Sequence, residues 1–152
     1  MGLKPDRREI DSTIDYFMNQ TADRGGIVTI STSASGSAMD NAAQLVHYPT
    51  NSSGQKAVGV LMCDVVNLDL TRQHMNWYKE EVQAGGKVTI WTKGTVVTDY
   101  IASGITVTGG QTAYVGAGGR LTNVSTGYND AVGRFATTKD EEGFARVDVN
   151  LP

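Results

Sequence analysis

Hydrophobic and polar positions alternate most cleanly at the end of the chain. In Ala145-Arg146-Val147-Asp148-Val149-Asn150-Leu151 every odd position is apolar and every even one polar. Side chains of an extended strand point alternately to opposite faces, so this pattern predicts a half-buried strand with Ala145, Val147, Val149 and Leu151 inward. The same grammar runs back through the last third. Residues 105–108, 112–115, 120–124 and 131–136 are short β-branched or apolar runs. Gly109-Gly110, Gly116-Ala117-Gly118-Gly119 and Asp140-Glu141-Glu142-Gly143 separate them as turns. Twelve of the 18 glycines fall between Gly85 and Gly143, and turns at this spacing between β-branched runs predict an all-β domain.

Upstream, Gly85-Gly86 leads into Lys87-Val88-Thr89-Ile90-Trp91-Thr92-Lys93, with Val88 and Ile90 on one face and Thr89 and Trp91 on the other. Gly94 reads as the next turn and 96–101 as the next strand. Residues 58–70 read as a buried strand entering a polar connection, 71–79 have no clean periodicity, and Ile27-Val28-Thr29-Ile30-Ser31 reads as the first strand. Residues 31–57 carry only Asp40 and Lys56 as formal charges and are rich in Ser, Thr, Asn and Gly. That composition predicts a long loop.

The first 24 residues differ, with four basic and five acidic side chains. Ile10, Ile14, Phe17 and Met18 fall at i, i+4, i+7 and i+8, which predicts one face of a short helix within 5–20. Such a helix is marginal alone and must pack on its own core or on a neighbour. The expected architecture is therefore an antiparallel β-barrel or sandwich. A helical or extended arm (1–24) precedes a single β-rich domain (25–152) that includes the long loop at about 31–57.

Composition narrows the partners. The chain has 152 residues, 39% hydrophobic and 19% charged, with a net charge of −3. So few charges favour extensive packing against other protein. No polybasic or aromatic-basic stripe is present, which argues against nucleic acid as a partner. No apolar run reaches the roughly 18 residues that suggest a membrane helix, and no membrane partner is expected. The charged start lacks a signal-peptide core, so synthesis in a reducing, cytoplasm-like setting is expected. The single cysteine, Cys63, excludes an intrachain disulfide and reads as a small apolar strand residue.

Candidate chemistry is sparse. His47, His74 and Cys63 match no zinc spacing, so no metal and no cofactor are expected. No G-x-S-x-G elbow or paired acid and base suggests catalysis, and no catalytic residue is assigned. The two glycine clusters lack a following helix start and read as hairpin turns rather than phosphate loops. The acidic run at 140–143 reads as a solvated turn closing the final hairpin. Asn19, Asn51 and Asn123 begin glycosylation sequons of compositional origin. Trp77, Tyr78 and Trp91 are the large side chains of most interest. Trp91 reads either as core of a second layer or as a binding anchor.

Several segments together resemble the small head decoration (cement) proteins of tailed bacteriophages. They are Val58-Gly59-Val60-Leu61 with Asp64-Val65-Val66, Glu81-Val82-Gln83-Ala84-Gly85-Gly86-Lys87-Val88 and Gly94-Thr95-Val96. Further on come Gly109-Gly110-Gln111-Thr112-Ala113-Tyr114-Val115, Gly118-Gly119-Arg120-Leu121-Thr122, Ala131-Val132-Gly133-Arg134-Phe135-Ala136-Thr137 and Gly143-Phe144-Ala145-Arg146-Val147-Asp148-Val149. The resemblance covers about 58–151 and is specific as an ensemble rather than motif by motif. It implies a β-barrel or sandwich on the outer surface of the virion capsid, made in the host cytoplasm, that assembles as a dimer or trimer and clamps the major capsid protein. It carries no catalytic residues. Residues 1–57 then read as an arm and loop reaching neighbouring capsomers, with Ile10, Ile14, Phe17, Met18, Trp77, Tyr78 and Trp91 as candidate partner contacts. The competing expectation is a tail, baseplate or adhesion β-module that stacks host surface glycans on its aromatic residues.

Overall fold

The computed structural model describes residues 11–34, 36, 44–51, 53–64, 68–69, 74–75, 81–82, 84–125 and 129–151. The strands are β1 (Asp11–Met18), β2 (Ala22–Asp23), β3 (Ile27–Ala34), β4 (Gln44–His47), β5 (Ala57–Asp64), β6 (Leu68–Asp69) and β7 (His74–Met75). Then follow β8 (Glu81–Val82), β9 (Lys87–Thr98), β10 (Thr112–Val115), β11 (Leu121–Thr122), β12 (Ala131–Phe135) and β13 (Ala145–Asn150). The fold is all-β, as its glycine-punctuated pattern predicts.

Five strands close a barrel in the order β1-β4-β3-β5-β9, and β9 pairs back onto β1. All of these pairings are antiparallel except β1 with β4, which is parallel. The sheet then continues outward from β9 through β13, β12, β10 and β11. β9 serves both layers: residues up to Lys93 pair with β1, and Lys93 to Thr98 pair with β13. Gly94, at φ +146, stands where the strand passes from one layer to the other. The sequence reading of a turn at Gly94 is thus corrected. Glycine reaches this φ without a Cβ clash, so the strand bends instead of ending.

Two cores share the wall made by β3, β5 and β9. Met18, Val28, Val46, Val58, Leu61, Val88 and Ile90 fill the barrel, joined by Val82 of β8. Ile27 and Val60, on the other face of the same strands, pack with Val115, Leu121, Val132, Phe135, Val147 and Val149 of the outer layer. The alternation expected at 145–151 holds, with Ala145, Val147, Val149 and Leu151 buried. In β5 a register shift opposite Val28 and Thr29 puts Val58 and Leu61 in one core and Val60 in the other. An extra residue in one strand of a pair has this effect.

Three further expectations are corrected. The helix expected within 5–20 is absent from its described part, because Asp11–Met18 is a barrel strand. Thr13, Ile14, Tyr16 and Phe17 are β-branched or aromatic and favour a pleated surface. The strand gains two ladders and the complete burial of Met18, the latter worth about 1.5–3 kcal/mol, whereas a lone short helix gains little. Residues 11–18 therefore belong to the barrel rather than to an arm outside it, and residues 1–10 lie outside the described part. The long loop at 31–57 contains the end of β3 and all of β4; its low charge hid the short Gln44-Leu45-Val46-His47 strand. Residues 105–108 carry no strand, although Val107 is fully buried: one apolar anchor suffices there without ladder pairing.

The turns read at 116–119 and 140–143 are present. β10 and β11 form an antiparallel hairpin across a 3-10 turn at Ala117–Gly119. Asp140 closes the β12–β13 hairpin, its Oδ1 accepting from the N–H groups of Glu142 and Phe144, each at 2.9 Å.

Candidate interaction surface

Among the described residues an apolar cleft lies open beside the outer layer. It has a volume of about 410 Å³ and follows β9 and its exit from Thr95 to Asp99, with Trp91, Met62, Val60 and Phe144 along its walls. Trp91 is half-buried and packs on the outer core while lining the cleft. The core reading of this residue therefore holds for one side of its ring, while the other side lines the cleft. Val97 follows the buried Val96 on β9 and is 61% exposed, which makes it an apolar side chain presented outward. Arg24 and Asp99 add opposite charges to the same cleft.

A second, polar cleft of about 710 Å³ lies among Asp23, Tyr48, Thr50, Tyr100 and Gly118. Its walls are tied together by hydrogen bonds and ring contacts. The Tyr48 hydroxyl donates to the carbonyl of Asp23 at 2.5 Å and accepts from the N–H of Gly26 at 3.1 Å. The rings of Tyr48 and Tyr100 lie 5.3 Å apart, and the guanidinium of Arg120 sits 4.9 Å from the centre of the Tyr100 ring. Burial pushes the phenol of Tyr48 far above its ordinary range and raises that of Tyr100 less, where Arg120 opposes the shift. Both phenols are thus held neutral, as hydrogen-bonding and stacking groups rather than acids. Burial lowers the imidazole pKa of His47 on β4, whose Nδ1 is buried with no partner among the described residues.

The N-terminal candidates do not form one stripe. Met18 is sealed in the barrel, Phe17 is half-buried with the ammonium of Lys87 5.9 Å from its ring centre, and Ile14 is 46% exposed. A strand sends neighbours to opposite faces, so the helical spacing does not survive. Ile10, Trp77 and Tyr78 lie outside the described residues. The sequence reading missed Val97, Met62 and Phe144 as cleft residues. Nothing in a Val-Val pair tells which side chain faces out; only the register Val97↔Arg146 settles it. It also missed Tyr48 and Tyr100, which stand outside any motif.

Among the described residues no group of three or more His, Cys, Asp or Glu is placed to hold a metal ion. Among them, too, no helix is long and apolar enough to cross a membrane. No protein-family model matches the chain, and no match arises among the curated proteins.

Proposed function

We propose that this chain is a structural protein of a phage virion, a decoration module that binds the outer face of the head and ties major capsid subunits together as a homo-oligomer. The observation that supports this reading is an apolar cleft on an all-β body, with Val97 presented outward beside Trp91, Met62 and Phe144. The decoration-protein resemblance across 58–151 supports it, as does the charge-poor composition. Binding that prefers the assembled lattice stabilises it by RT ln(1 + [L]/Kd), about 2.7 kcal/mol per site at a hundredfold excess over Kd. Repeated around a shell, weak clamps resist internal pressure without any chemistry. The test is thermal release of DNA from heads prepared with and without the protein. Decorated heads should hold their DNA to a higher temperature. Equal release temperatures, together with retention of the protein on a glycan array, would overturn this reading in favour of the adhesion module.

A further inference from the structure

The polar cleft beside Tyr48 is built from four segments distant in sequence. Gln20 to Asp23 lead into and form β2, Tyr48 to Thr50 follow β4, Tyr100 follows β9, and Ala117 and Gly118 lie in the turn between β10 and β11. Main-chain bonds hold these segments to one another and to the body. The N–H of Gly118 donates to the carbonyl of Pro49 at 2.6 Å, that of Leu121 to the carbonyl of Tyr100 at 2.9 Å, and that of Ala84 to the Thr21 hydroxyl at 3.3 Å. With the Tyr48 hydroxyl joining Asp23 to Gly26, the cleft needs no ligand to form. Its volume of about 710 Å³ falls within the roughly 300–1,000 Å³ of small-ligand sites.

Structural bonds use up the Tyr48 hydroxyl but not the rim. The side chains of Gln20, Asp23 and Thr50 are exposed and Tyr100 is half-buried. Tyr48 bonds the main chain of Asp23, which leaves the carboxylate uncommitted. The rim therefore offers one acceptor-only carboxylate and three groups that both donate and accept. The Tyr100 ring, Pro49 and Ala117 add apolar surface. Charge acts as a filter here. Beyond the effect of burial on the Tyr100 phenol, Arg120 lowers its pKa and Asp23 raises it. Both charges are thus felt at the ring, one opposing a cation and the other an anion. A ligand with several hydroxyls, an apolar C–H face and no charge matches this set. We propose that the cleft is a saccharide site, holding a neutral sugar residue through Asp23, Gln20, Thr50 and Tyr100. Its lining shares no residue with the apolar cleft of Trp91 and Val97, so the site is independent of head binding.

The probes are glucose, galactose and N-acetylglucosamine, with glucosamine and N-acetylneuraminic acid as the cationic and anionic comparisons. In NMR titrations of the isotope-labelled full chain, a neutral sugar should shift the amides of Thr21, Asp23, Tyr100 and Gly118 saturably. Val132, in the outer core, should not move. Asp23→Asn keeps the main-chain carbonyl that Tyr48 uses and removes a charged acceptor, so it should weaken binding by about tenfold or more. Tyr100→Phe keeps the ring and should weaken binding roughly threefold to tenfold, the equivalent of one neutral hydrogen bond. Parental shifts at Val132 in both variants show that the body remains folded. Retention on an array of immobilised neutral glycans, competed off by the free sugar, assigns the site to surface glycans. Saturable shifts without retention assign it to free sugars. No saturable shift with any neutral probe would overturn the proposal, as would parental affinity in both variants or tighter binding of either charged probe. Loss of sedimentation with heads in Asp23→Asn would also overturn it, by making this cleft part of the head contact.

Discussion

The hydroxyl of Tyr48 donates to the carbonyl oxygen of Asp23 at 2.5 Å, across 25 positions of sequence. That bond pins the segment between β4 and β5 to the end of β2. The same ring closes onto the outer layer through Tyr100 and through Gly119, where a Cβ would collide with Tyr48 and approach the carbonyl of Ile27 at 2.8 Å. Gly119 sits at φ +75, so both its conformation and its space require glycine. Tyr48 is therefore a point at which barrel and outer layer are held together, and the polar cleft lies at that same junction.

Tyr48→Phe should cost about 1–3 kcal/mol in chemical denaturation, because the buried N–H of Gly26 loses its acceptor and the carbonyl of Asp23 its donor. The variant should also change the alkaline limb. Burial holds the Tyr48 phenol above its ordinary value of 10.0. Above that pH the unfolded chain releases a proton that the folded chain keeps. Stability is present below pH 10 and falls as pH rises beyond it. Tyr48→Phe should flatten that fall; an unchanged alkaline slope would assign it elsewhere.

Gly133→Ala should be among the most damaging single-methyl changes. Its Cβ would overlap the carbonyl oxygen of Asp148 on β13, a main-chain atom that cannot swing aside. The expected loss is about 3 kcal/mol, the upper part of the overpacking range. Gly54→Ala is the comparison: nothing lies within 4 Å of its Cβ, and only its φ of +74 resists. Its expected loss is about 1 kcal/mol. Urea midpoints of the two variants check the order.

His47 should make the fold acid-sensitive. Burial lowers its pKa from the ordinary 6.5. Below that pH the unfolded chain takes up a proton that the folded chain resists, so stability is full above about 6.5 and declines as pH falls through the window below it. His47→Gln removes the titration, and its stability should change less between about pH 7.5 and 5.5 than that of the parent. A parent curve that is flat over this interval would show that the imidazole is satisfied when protonated.

Deletion of residues 1–18 should abolish the cooperative thermal transition rather than leave a folded body without an arm. β1 pairs in parallel with β4 and antiparallel with β9, and so closes the barrel. Met18 leaves a cavity of side-chain size if removed, and a loss of that kind costs about 2–5 kcal/mol before the ladders are considered. A truncated protein with an unchanged melting temperature would restore the separate arm.

The same strand shows where sequence reading stops. Alternation at 145–151 and the turns at 116–119 and 140–143 were legible because each rests on neighbours in sequence. β1 was not, because Ile14, Phe17 and Met18 satisfy helical spacing locally and are decided by partners more than 25 residues away, at 44–46 and 87–93. Gly94 reads as a turn for the same reason, since only the pairing of β13 beyond it shows a single strand. The cleft was legible only through Trp91. Val97 and Phe144 become surface residues through the register of β9 on β13, which no local pattern encodes.

Val97→Glu separates binding from folding. The side chain is 61% exposed, so its replacement removes little core, and surface changes of this kind stay within about 0.5 kcal/mol. Its effect on a contact should be larger. A carboxylate placed beside Trp91 and Phe144 would lose its water on docking without gaining a partner, a desolvation cost of at least 1–3 kcal/mol. That corresponds to roughly a tenfold weakening of binding to capsid lattices for every 1.4 kcal/mol. Trp91→Ala, by contrast, should weaken both, since its ring also packs on the outer core. Sedimentation of the protein with heads, set beside melting curves of the same variants, reads the two effects apart. If Val97→Glu binds heads as tightly as the parent while melting at the same temperature, the contact surface lies elsewhere on the molecule.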